Sequence, residues 1–101
     1  AYHSYWTDNN FTLQKAFGEY IHRNYRDVEL EMSEWCELPC QHTTDDIEGA
    51  LIMARTISED VSLTGVNSWS AWVGVNEDPK HADSMIGASS DDIRLEGKFT
   101  L

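Results

Sequence analysis

The chain has 101 residues, 41% of them hydrophobic, enough for one small domain with a modest core. Seven basic against eighteen acidic residues leave a net charge of −11, and with no local Lys/Arg cluster such a surface repels a phosphate backbone, which excludes nucleic acid as a partner. No run approaches the roughly 18 apolar residues of a membrane span, so a membrane partner is not expected either.

Residues 1–6 are short and aromatic and read as the end of a strand already under way. Asp8, Asn9 and Asn10 are turn and cap material. Over 11–25 the spacing of Leu13, Phe17, Tyr20 and Ile21 predicts a helix, weakened at Gly18 by roughly 1 kcal/mol relative to alanine. Val28, Leu30 and Met32 then alternate with Glu29, Glu31 and Ser33, the period of a strand. Glu34 shares parity with Leu30 and Met32 and stands at the strand's exit.

Cys36 and Cys40 lie four apart with His42 close by. No second ligand pair at finger spacing follows, so no metal is expected, and the spacing leaves open whether the two thiols are bridged. Asp45 followed by Glu48 resembles a capping box. Ile47, Ala50, Leu51, Ala54, Ile57 and Val61 keep helical spacing, which predicts a core-facing stripe ended by Thr64 and Gly65. A mixed apolar and aromatic strand is expected over 66–75, stopped by Asn76-Glu77-Asp78-Pro79. Residues 80–90 are loop-like, and 93–96 with 98–101 read as a final strand pair or hairpin. His22, His42 and His81 are expected at the surface, and Glu29, Glu31 and Glu37 facing solvent or a helix.

The resulting order, β-α-β-α-β and a tail, implies an α/β fold with parallel strands joined by right-handed crossovers. At His3-Ser4-Tyr5, Ser33-Glu34-Trp35-Cys36 and Asn67-Ser68-Trp69-Ser70-Ala71-Trp72 the sequence resembles the C-terminal part of glycoside hydrolase family 30, in its endo-β-1,6-galactanase-like flavour. The resemblance covers residues 1 to about 76. It implies the portion of a TIM (β/α)₈ barrel from the end of strand 6 to strand 8, over residues 1–79, with a loop and the start of a following β segment over 80–101. Since a whole barrel takes about 250 residues, the N-terminal part of the barrel would be missing and would be the chain's necessary partner.

The same resemblance implies a retaining O-glycosyl hydrolase acting on β-linked polysaccharide, with β-1,6-galactan the candidate its galactanase-like flavour names, without any cofactor. Glu34 matches the nucleophile and Tyr5 the hydroxyl that hydrogen-bonds it. His3, Trp72, Trp69 and Trp35 match the substrate-binding wall, with Trp72 favoured over Trp69 because residues three apart on a strand face opposite sides. A retaining mechanism uses two carboxyl groups about 5–5.5 Å apart. The family's acid/base follows Asn at the end of strand 4, outside this chain; Glu77 also follows an Asn but comes after strand 8, and is not assigned that role. The isolated chain is therefore expected to be inactive, although the full-length parent is expected to be an extracellular enzyme. Ala1-Tyr2-His3, without a Met, fits an excised piece whose export signal went with the rest.

A reading from another class stands beside this one: a small freestanding α/β binding or interaction domain with no catalysis. A carbohydrate-binding module fits less well, because such modules are usually all-β and this chain predicts two helices.

Overall fold

The computed structural model describes residues 1–37, 47–77 and 84–95. Helix α1, Phe11–Asn24, starts where the Asn10 side chain accepts from the Leu13 N–H at 3.0 Å, satisfying one of the free donors of the first turn. It ends where the Tyr25 N–H bonds to the Ile21 carbonyl, with His22 and Arg23 near the negative end of its dipole. Strand β1 is Glu31–Trp35. Helix α2, Ile47–Glu59, runs directly into a π-helical turn, Asp60–Thr64. Four short strands follow among the described residues: β2 Ser68–Ala71, β3 Val75–Asn76, β4 Ile86–Ala88 and β5 Ile93–Leu95.

Two compact units share the chain. The first comprises Ala1–Trp35 and Arg55–Ser70. In it β1 pairs with β2, while Tyr2 forms a parallel bridge to Met32, donating to the Glu31 carbonyl at 2.9 Å and accepting from the Ser33 N–H at 3.1 Å. Leu30, Met32 and Trp35 are buried along the strand, and α1 lies against the π turn. Gly18 makes that approach possible: a Cβ there would meet the Leu63 carbonyl at 2.5 Å. Gly65 closes the π turn at φ 75°, in the left-handed region that favours glycine, with its N–H on the Asp60 carbonyl. The His22 ring occupies the place where a side chain at Gly65 would project, and its Nε2 lies 3.1 Å from the Thr64 carbonyl.

The second unit comprises Cys36–Ala54 and Ala71–Leu101. Its described strands form one sheet in the order β3-β4-β5, parallel between β3 and β4 and antiparallel between β4 and β5. The Trp72–Val73 peptide bond, just ahead of this sheet, is cis.

The expected barrel portion is corrected by this architecture. A barrel arc needs its strands in one sheet, shielded on both faces; the described strands instead divide between a two-stranded and a three-stranded sheet, one of them with an antiparallel pair. The strand expected over 66–75 is broken: β2 ends at Ala71, and Val75 and Asn76 pair with Ile86 and Gly87 instead. The loop expected over 80–90 contains β4. The apolar stripe of α2 is not a core stripe throughout. Ile47, Leu51 and Val61 are exposed, whereas Thr56, Asp60 and Thr64 are buried, because polar side chains from distant segments meet that face. Glu37, expected to face solvent or a helix, is buried, which sets aside the first of these. Cys40, His42, Asp45, His81 and 98–101 lie outside the described residues, and with them the open question of a Cys36–Cys40 bridge, the capping box and the second half of the final hairpin.

Candidate functional site

The bridge at Tyr2 lays the first segment alongside β1, which brings Tyr5 level with the strand's end. There the Tyr5 hydroxyl donates to Glu34 Oε1 at 3.1 Å, across 29 positions of sequence. Glu34 is half-buried, so one carboxylate oxygen is oriented while the group remains within reach of solvent. The His3 ring meets the Tyr5 ring edge-on, with centroids 5.8 Å apart and planes at 86°, an arrangement that restrains the phenol.

Trp35 is fully buried: its indole Nε1 donates to Asp8 Oδ2 at 3.0 Å and its ring lies 5.9 Å from that of Trp69. The substrate-contacting role expected for Trp35 is thus occupied by packing. Trp69 is half-buried and donates from Nε1 to Asp60 Oδ2 at 2.9 Å. Trp72 belongs to the second unit, where it is 51% exposed.

Asp60 is the residue that orders this end of the first unit, and no local signal in the sequence marks it. Fully buried, it accepts from the Tyr2 hydroxyl on Oδ1 at 2.6 Å and from Ser4 Oγ and Trp69 Nε1 on Oδ2. Burial, and then the Asp60 carboxylate, push the Tyr2 hydroxyl well above the ordinary phenol range, so it remains a donor at any physiological pH.

A second acid, Glu59, is also buried. Its Oε1 lies 3.4 Å from Arg55 Nε, and Oε2 has no partner among the described residues. Burial raises its carboxyl above the usual range; Arg55 pulls it back, and Asp60 and Asp8 push it further up.

Ser4 anchors a turn. Its carbonyl accepts from the Thr7 N–H at 3.1 Å and from Thr7 Oγ1 at 2.9 Å, and its own hydroxyl is held by Asp60. Trp6, at the third position of that turn, has φ 67° and is 81% exposed. A bulky side chain in the left-handed region costs about 1–2 kcal/mol, and that position of such a turn ordinarily goes to glycine or asparagine.

A hollow of about 340 Å³ opens between Tyr2, His3, Phe17, Gln14 and Thr64, and Glu34 does not line it. Gln14 is buried there with both amide atoms unpaired among the described residues. Among the described residues no group of three or more His, Cys, Asp or Glu side chains is placed to hold a metal ion, and no helix is long and apolar enough to cross a membrane.

No protein-family model matches the sequence, and no curated protein does. Among solved structures the chain is similar to a conserved exported protein from Bacteroides fragilis, with a TM-score of 0.64 and 21% identity over 93% of this chain. The matched stretch spans 23% of that protein's length. At this identity the likeness concerns the fold alone, and the description of that protein names neither a barrel nor a hydrolase, so the barrel assignment draws nothing from it.

Proposed function

We propose that Glu34 is the nucleophile of a retaining O-glycosyl hydrolase acting on a neutral β-linked polysaccharide, with β-1,6-galactan the first substrate to try. One observation carries the reading: the Tyr5 hydroxyl donates to Glu34 Oε1 at 3.1 Å, as the resemblance to family 30 implies for a nucleophile and its orienting phenol. The reading needs a strand-end carboxylate and its donor, and does not need a barrel. In it a Glu34 oxygen attacks the anomeric carbon, the bond to the leaving oxygen breaks with its electron pair, and water later displaces the carboxylate. Tyr5 orients the attacking carboxylate through that hydrogen bond. No residue of this chain is assigned the part of the acid that protonates the leaving oxygen. The acidic surface suits a neutral glycan better than a uronate polymer. Export to the outside of the cell fits both a polysaccharide substrate and the exported protein that shares the fold.

The test uses a substrate whose leaving group departs without acid help. A dinitrophenyl 2-deoxy-2-fluoro-β-galactoside should leave a covalent glycosyl adduct on Glu34, located by intact mass and peptide mapping, and the Glu34→Gln chain should stay unlabelled. No adduct overturns the reading in favour of a binding domain without catalysis, and an adduct on another residue takes the nucleophile's role away from Glu34.

A further inference from the structure

Trp6 is a residue whose conformation no contact of its own side chain among the described residues explains. It combines a positive φ of 67° with 81% exposure of the largest side chain there is. A solvent-exposed position in a tight turn ordinarily relaxes to glycine or asparagine, which adopt this backbone without strain. Here the turn is held on either side of Trp6. Ser4 is fastened to buried Asp60 by its hydroxyl, the Ser4 carbonyl takes both the N–H and the hydroxyl of Thr7, and the Thr7 carbonyl in turn takes the Asn10 N–H at 2.8 Å. Backbone strain persists only where the surroundings over-determine it, and such outliers concentrate at ligand-binding positions. Its immediate neighbour, Tyr5, is the residue that holds Glu34.

We infer that Trp6 is a sugar-stacking platform beside the Glu34 site, presented by the pinned turn to a second, adjoining residue of a neutral β-linked oligosaccharide. An exposed indole offers a flat apolar face to the C–H side of a pyranose ring, and its two side-chain torsions leave little entropy to lose on binding. The inference rests on the proposed role of Glu34, since that role makes the adjoining ligand a glycan. It goes beyond that role by stating that the site takes more than one sugar and that affinity for the second is set at Trp6.

The experiment compares Trp6→Gly with the unaltered chain in two titrations, one with a β-1,6-linked galactotetraose and one with galactose, followed by calorimetry and by indole fluorescence. Glycine suits the backbone angle, so the variant should unfold no earlier than the unaltered chain. It should bind the tetrasaccharide about tenfold more weakly, as expected for loss of one stacking contact, with a smaller loss for galactose. Equal tetrasaccharide affinity in the two chains overturns the inference, as does a drop in thermal midpoint for Trp6→Gly, which would make Trp6 a structural residue. The labelling of Glu34 separates the two claims: loss of tetrasaccharide affinity in a chain that never forms the Glu34 adduct sinks the catalytic reading and keeps the platform, whereas an adduct with no change on Trp6→Gly does the reverse.

Discussion

Gly18 stands so close to Thr64 that a Cβ on the glycine would lie 2.8 Å from the Thr64 Cα, and only 2.5 Å from the neighbouring Leu63 carbonyl. Two effects compete at this position. Alanine is the better helix former by up to about 1 kcal/mol. Overpacking against backbone, which cannot rotate away, costs typically ~1–3 kcal/mol. Gly18→Ala is therefore expected to destabilise the chain despite its gain in helix propensity, read as a lower urea midpoint with an unchanged slope. A variant as stable as the parent means that α1 and the π turn separate easily.

Replacing Asp60 by alanine leaves the Tyr2 hydroxyl, Ser4 Oγ and Trp69 Nε1 without their common acceptor. Each orphaned donor costs roughly 1–3 kcal/mol where it stays buried, so Asp60→Ala should be more damaging than most single substitutions. Asp60→Asn keeps the size and one acceptor oxygen and should fall between the two. Thermal unfolding that ranks parent, Asn and Ala in that order supports the hub; equal midpoints remove it.

Glu59 makes stability depend on pH in a direction opposite to the usual carboxylate. Its folded carboxyl holds a proton more tightly than the unfolded one, chiefly through burial. Between the ordinary carboxylate range and the raised folded value the native state therefore binds more protons than the unfolded state, and stability falls as pH rises through that window. Glu59→Gln should remove this contribution. At pH 7 the variant should gain about 1 kcal/mol, the low end for relieving a buried unpaired charged acceptor, or roughly 4–8 °C in midpoint for a chain of this size. The difference should shrink as pH falls below the ordinary carboxylate range. A variant less stable than the parent at pH 7 would show that the Arg55 pair outweighs burial.

Tyr5→Phe deletes the one hydroxyl and keeps the ring against His3. A hydrogen bond to a charged acceptor is worth about 1.5–3 kcal/mol. If half of that is lost from the transition state relative to the ground state, labelling of Glu34 by the activated fluoroglycoside should slow by roughly 3- to 12-fold, at 1.4 kcal/mol per factor of ten. The folded stability should change far less than on loss of Asp60. An unchanged labelling rate would deprive Tyr5 of its orienting role.

Local periodicity made both helices readable, and Asn10 marked the start of α1 by cap chemistry that depends only on neighbours in sequence. The alternation of Leu30 and Met32 likewise pointed to β1, although the buried residues within the strand, Met32 and Trp35, lie three apart and so depart from a strict period of two. What lay beyond reach was partner choice. Residues 66–75 have strand character throughout, but nothing local says that Val75 will leave Ala71's sheet to pair with Ile86. The inward face of α2 was misread for the same reason. Thr56, Asp60 and Thr64 look like solvent residues until Tyr2 and Ser4, more than fifty positions earlier, arrive to pair with Asp60. Of the candidate site, the pairing of Tyr5 with Glu34 was legible through its motifs, whereas Trp6 became visible only through its backbone angle.

The π turn has a consequence for how the first unit opens. The Asp60 carbonyl receives the N–H groups of both Gly65 and Val66, while its carboxylate holds residues 2, 4 and 69. Unwinding that single turn would release the start of the chain and the beginning of β2 together, so their amide hydrogens should report one common opening free energy, as a single cooperative patch rather than as separate fraying ends.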